Sequence, residues 1–85
     1  MDGSEQTAGR VPLTVPHMGV VEEVVVIEWL VDAGTLVSAG QEVVIVETEK
    51  AEVALEAPAA GTIDIAVTAS DLEVAVGDTL AYITP

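Results

Sequence analysis

The chain has 85 residues, 51% of them apolar, and a formal charge of −13, with fifteen acids set against Arg10 and Lys50. That length allows one core and no second lobe, and a fold this short leaves little room for an enclosed catalytic cavity. The charge argues against phosphate backbones and anionic membrane surfaces as partners, and the absence of cysteine rules out a disulfide, a thiolate nucleophile and a sulfur ligand.

Residues 1–10 are small and polar without periodicity and read as a mobile tail ahead of a single domain over 11–85. The acidic start does not resemble the basic opening of a signal peptide, so no targeting segment is expected. From Val11 onward, short runs of strand formers are interrupted by Gly, Pro, Asp and Ser, and no stretch carries a helical stripe. Sixteen valines and five isoleucines, with no Phe, one Trp and one Tyr, bias the chain toward pleated strands and an aliphatic core. The longest purely aliphatic runs, Val24 to Ile27 and Val43 to Val46, are four residues each. A membrane span needs roughly 20.

The two halves repeat. Pro16-His17-Met18-Gly19-Val20-Val21-Glu22 matches Pro58-Ala59-Ala60-Gly61-Thr62-Ile63-Asp64 at an offset of 42, and Val37 to Val43 matches Val74 to Leu80 at an offset of 37. The first half therefore holds five extra residues between its paired glycines, expected as a longer surface loop around Val20 to Val24. The fold expected is an all-β, flattened barrel or sandwich of two antiparallel sheets, about four strands each, related by a pseudo-two-fold axis. Trp29 is expected as a core or half-buried strand residue, and Gly34, Gly40 and Gly77 as turn residues with positive φ.

Between the halves, Glu47-Thr48-Glu49-Lys50-Ala51-Glu52 is flanked by Val43 to Val46 and by a run in which Ala51, Val53, Leu55 and Ala57 alternate with Glu52, Ala54 and Glu56. This spacing predicts a hairpin. With no Asn-Gly or Asp-Gly at the bend, a type I turn centred on Glu49 and Lys50 is expected, with Lys50 pointing into water. Lys50 is the single lysine, at the junction of the repeats. One reading is that it merely offsets repulsion among Glu47, Glu49 and Glu52. The other is that a nucleophilic amine on a flexible stem, carried on an accessible turn, suits attachment of an acyl group that then visits several active sites. Because the chain lacks cysteine, redox chemistry would have to come from such an attached group.

Over nearly all of residues 12–84 the sequence resembles the lipoyl domains of 2-oxo acid dehydrogenase acyltransferase subunits. The family's Glu-Thr-Asp-Lys-Ala motif stands here as Glu47-Thr48-Glu49-Lys50-Ala51, followed by Glu56-Ala57-Pro58-Ala59-Ala60-Gly61. Pro16 to Gly19, Glu28-Trp29-Leu30 and Ala33-Gly34-Thr35 occupy places where the family carries like residues. The resemblance implies a non-catalytic carrier with lipoic acid covalently attached to Lys50. It implies a lipoylating enzyme that is helped by Glu47 and Gly61. Thr48, Glu49 and Ala51 beside the lysine, and Val20, Val21, Glu22 and Glu23 on the longer loop, join them as candidate recognition residues.

The implied partners are a thiamine-dependent 2-oxo acid decarboxylase, an acyltransferase core and a dihydrolipoamide dehydrogenase. Nucleic acid and membrane are not among them, and the isolated domain is expected to be a monomer. The implied compartment is the cytoplasm of a bacterium or the mitochondrial matrix of a eukaryote. Two alternatives stand beside this reading: a biotinyl carrier of a biotin-dependent carboxylase, whose lysine is normally flanked by methionines rather than Glu49 and Ala51, and an interaction domain that receives no prosthetic group.

Two positions depart from the lipoyl pattern. Val24 stands where glycine is common, and Ile45 where an outward polar residue is usual, so both are expected to add apolar surface, as a contact patch or through a shifted register. His17 reads as a surface or strand-end residue, and Glu22-Glu23 as a solvated loop face that lacks the ligand pattern of a calcium loop. Ser70-Asp71-Leu72 invites comparison with a phosphopantetheine serine, but it lies among Val67, Val74 and Val76 without helical period.

Overall fold

A computed structural model of the protein describes residues 9–19, 21–70 and 73–85. Eight strands run β1 (Val11–Thr14), β2 (Glu23–Trp29), β3 (Leu36–Val37), β4 (Glu42–Glu47), β5 (Glu52–Glu56), β6 (Gly61–Ile65), β7 (Glu73–Ala75) and β8 (Thr79–Thr84). They form two four-stranded antiparallel sheets in the orders β1-β8-β6-β3 and β5-β4-β2-β7, with no helix among the described residues. Expected fold class and strand number agree with this. The cause is local: β-branched side chains favour extended backbone, and successive side chains point to opposite faces, so each strand buries one face even where, as at Val43 to Val46, the run is unbroken aliphatic.

Each sheet mixes the halves. Strands β8 and β6 form the centre of the first sheet with β1 and β3 at its edges, while β4 and β2 form the centre of the second with β5 and β7 outside. Exchanging β1 with β5, β2 with β6, β3 with β7 and β4 with β8 therefore carries one sheet onto the other. Connecting hydrogen bonds obey the same exchange. Gly40 N–H donates to Ala57 C=O as Gly77 N–H donates to Val15 C=O, and Gly34 N–H donates to Ile63 C=O while Ser70 N–H, one residue out of register, donates to Val26 C=O. The pseudo-two-fold relation read from the repeat is thus a property of the backbone.

The ladders locate the five extra residues. Val26 pairs with Val46 as Ile63 pairs with Ile83, so Val26 and Ile63 are equivalent and the insertion precedes Val24. The loop expected there ends earlier than predicted, because β2 already begins at Glu23. Val24 corrects the reading of apolar surface: it is 1% exposed. Alternation along β2 puts it on the same inward face as Val26, where a valine fills the core. Ile45 does point outward, opposite Ala54, in the register the sequence suggested. A bulge at Ile27 shifts the β2 to β4 pairing by one residue beyond Val26.

The core is wholly aliphatic, as its composition required. Val15, Val24, Val26, Val43, Val44, Val46, Ile63, Leu80 and Ile83 are all fully enclosed, and no buried polar side chain accompanies them among the described residues. Trp29 is half-buried at the rim, its indole N–H donating to the Val67 carbonyl at 2.8 Å. Gly34, Gly40 and Gly77 take φ of 86°, 86° and 94°, as expected of turn residues. At the chain start, Arg10 lies with its guanidinium 3.9 Å from the Tyr82 ring centre and 3.9 Å from the Asp64 carboxylate, so the fold engages the last residue of the expected tail.

Candidate functional site

The hairpin joining β4 to β5 closes on the pair Glu47 and Glu52 and turns through Thr48, Glu49, Lys50 and Ala51. Thr48 organises the bend with one side chain. Its N–H donates to Ala51 C=O at 2.8 Å, and its hydroxyl donates to the same carbonyl at 3.0 Å. The hydroxyl also accepts from the N–H groups of Lys50 at 3.2 Å and Ala51 at 3.1 Å. A single O–H can donate once and accept twice, so these bonds coexist. They mimic a backbone turn through a side chain, as Ser and Thr do in place of an Asn-Gly pair.

No non-glycine residue among those described has positive φ, so the bend is not a primed hairpin turn, in agreement with the unprimed turn expected. The closing acceptor differs from a standard type I turn, because the Ala51 N–H meets the Thr48 hydroxyl in place of its carbonyl. Lys50 is exposed at the crest, and among the described residues it forms no ion pair. Its amine is reachable from solvent while its backbone is fixed on both sides by paired strands.

Beside the crest lies a groove of about 430 Å3 lined by Val21, Glu22, Glu23, Val25, Glu47, Thr48, Glu49 and Glu73. The structure thus brings the longer loop against the hairpin: Val21, bridged to Met18, sits with Glu22 and Glu23 across from Glu47, Thr48 and Glu49. Val20 falls outside the described residues, as do Asp71 and Leu72 of the Ser70 segment. Two groove residues were missed in the sequence. Glu73 arrives from β7, which pairs with β2 at Val25, and neither residue adjoins the lysine motif in the chain.

The groove is crowded with like charge. Glu23 is raised above the ordinary carboxylate range, first by the negative charge of Glu73, then by partial loss of hydration, a hydrogen bond with Glu73 and the charge of Glu22.

Gly61 is elsewhere. It lies in the first sheet, on β6, against the last residues of the chain, with φ of 152°. A Cβ built there would fall 2.6 Å from the Thr84 carbonyl carbon and 2.8 Å from the Pro85 Cα, so only glycine fits. Among the described residues His17 is exposed, and no group of acidic or histidine side chains has the arrangement of a metal site.

One lysine on the outer bend of a two-sheet β-domain marks the class of small β-domains built around a hairpin lysine. The chain belongs to the biotin/lipoyl family, matching it over residues 11–83 under the description biotin-requiring enzyme. It is 37% identical over 71 residues to the dihydrolipoyllysine-residue acetyltransferase component of the pyruvate dehydrogenase complex of Azotobacter vinelandii. That match covers 84% of this chain and 11% of the relative, so the chain spans about a tenth of the length of that protein.

Proposed function

We propose that this chain is a lipoyl carrier domain of a 2-oxo acid dehydrogenase complex, with lipoic acid in amide linkage to Lys50. The observation that carries the reading is the single lysine, exposed at the crest of a hairpin whose bend is held by Thr48. The residues fit the group: the amine is open to solvent and unpaired among the described residues, so attachment requires no rearrangement of the core.

When bound, lipoic acid would supply acyl and electron carriage that a chain without cysteine lacks. The chain itself contributes access, rigidity at the base of the arm and a charge pattern. Amide formation joins the neutral amine to the acyl carbon of a carboxyl-activated lipoyl donor, with the activating group leaving that carbon and a proton leaving the nitrogen, and it removes the only cation of the hairpin, taking the formal charge from −13 to −14. Glu47, Thr48, Glu49 and Ala51 flank the lysine for the lipoylating enzyme, and Gly61 contributes to its acceptance of the domain. Val21, Glu22 and Glu23 form the neighbouring wall that partner enzymes meet.

The partners proposed are a thiamine-dependent decarboxylase, an acyltransferase core and a dihydrolipoamide dehydrogenase. A carrier tethered among them gains effective concentration without release. The test is intact-mass analysis after co-expression with a lipoylating enzyme and lipoate, beside a Lys50→Arg variant. A lipoyl increment on the wild type alone is expected. An unchanged wild-type mass would overturn the carrier reading, and a biotinyl increment would reassign it to the carboxylase branch of the family.

A further inference from the structure

The pseudo-two-fold axis supplies an internal comparison, because apart from the bulge at Ile27 the two sheets share one strand plan and their outer faces can be compared position by position. On the hairpin sheet, Glu42 stands directly opposite Glu56 and Glu47 directly opposite Glu52. Like charges facing each other across an antiparallel ladder disfavour folding. The equivalent of the first pair on the other sheet is Thr14 opposite Thr79, a pairing that stabilises a ladder. The equivalents of Glu47 and Glu52 are Thr84 and Arg10. At these positions, then, one face sets like charges against each other and the other face does not.

Between the facing carboxylates, the hairpin sheet exposes an apolar strip. Ile45 lies next to Ala54 on β5 and opposite Glu28 on β2, with Val25 and the bulged Ile27 continuing it. The strip opens at one end into the groove where Glu23 and Glu73 crowd each other beside the Lys50 hairpin. Across the molecule, the other outer face carries Tyr82 under Arg10 and a single described strand acid, Asp64, whose carboxylate lies 3.9 Å from that arginine. Acid around an apolar strip, kept where pairing is penalised, is the complement of a basic surface with an apolar anchor.

We propose that the outer face of the hairpin sheet, with Ile45, Ala54 and Val25 at its centre and the facing pairs Glu42–Glu56 and Glu47–Glu52 around them, docks a partner protein that presents arginine or lysine around an apolar side chain. The proposal rests on the carrier reading for the identity of that partner, a thiamine-dependent decarboxylase, and adds which surface it reads. Contact along the length of β4 extends the footprint well beyond the Lys50 crest. Cations from the partner would relieve the carboxylate repulsion that the free domain retains.

The test offers the lipoylated domain as substrate to the thiamine-dependent 2-oxo acid decarboxylase of the same organism, after intact mass has established modification of Lys50. The variant Glu42→Thr with Glu56→Thr copies the pair found on the other sheet. It should melt at or above the wild-type temperature and lose at least about fivefold in kcat/KM, mostly through KM, with the loss shrinking as salt is raised. Ile45→Gln should lose a similar factor that salt does not restore. Asp64→Asn with Thr84→Lys makes the same change in net charge on the opposite face and should stay within about twofold of the wild type. Equal losses on both faces, or no loss on the hairpin face, would overturn the docking surface while leaving the carrier reading intact. An unmodified Lys50, or a lipoylated wild type that the decarboxylase does not acylate, would overturn the carrier reading and this inference with it.

Discussion

Glu23 and Glu73 meet on neighbouring strands although they are distant in sequence, and their encounter bears on how Glu23 holds its proton. Glu73 raises the Glu23 carboxyl above its ordinary range. A carboxyl raised on folding favours the folded state when protonated, so its contribution is fully present below the unfolded value of about 4.3 and is lost as pH climbs through the raised one. The pair is therefore least favourable at neutral pH. Replacing Glu73→Gln should bring the Glu23 titration down toward an ordinary glutamate, read from the Glu23 side-chain resonances by NMR. The melting temperature of the variant should exceed that of the wild type most at pH 7, with the gap narrowing as the solution is acidified through the Glu23 transition.

At the scale of the hairpin, a single hydroxyl replaces the turn residues that the sequence does not contain. Thr48→Val keeps the shape and removes the acceptor for the Lys50 and Ala51 N–H groups. The expected cost is about 1 kcal/mol in denaturant unfolding, and lipoylation should slow through a higher KM for the domain. The presence of the hairpin was legible from alternation after Ala51 and from the isolation of one lysine between repeats. The means of closing it was less so, because a threonine before a bend is equally at home in a strand. Gly61 was singled out by resemblance as a recognition residue, and its packing against Thr84 and Pro85 depends on a contact between distant strands that no local pattern records. Val24 shows the opposite failure. A position read as surface proved to be core, since the five-residue insertion moved the start of β2 and alternation alone then decided which face it took.

For the molecule as a whole, a charge of −13 spread over one small domain opposes compaction at long range. Raising monovalent salt from about 10 mM to 150 mM shortens the screening length from roughly 30 Å to 8 Å. Thermal melting of the unmodified domain should move upward over that interval, and a flat or falling melting temperature would show that the carboxylates are compensated locally. The number of sheets, their antiparallel sense and their symmetry were all legible, because Val-rich alternation and a repeat with two offsets leave few ways to close. Strand order was not. The exchange of edge and centre strands between halves depends on which long-range ladders form, and the sequence of a single strand carries no mark of its neighbour.

That exchange has a bearing on what a half of this chain could be. Residues before Lys50 supply the interior of one sheet and the borders of the other, and residues after it supply the complement. Neither portion holds a closed sheet, and backbone donors such as those of Gly34 and Ser70 find their acceptors only across the divide. Severing the crest would therefore leave two interlocked pieces in one body, and a lone half could satisfy its ladders only by recruiting another half turned about the same axis.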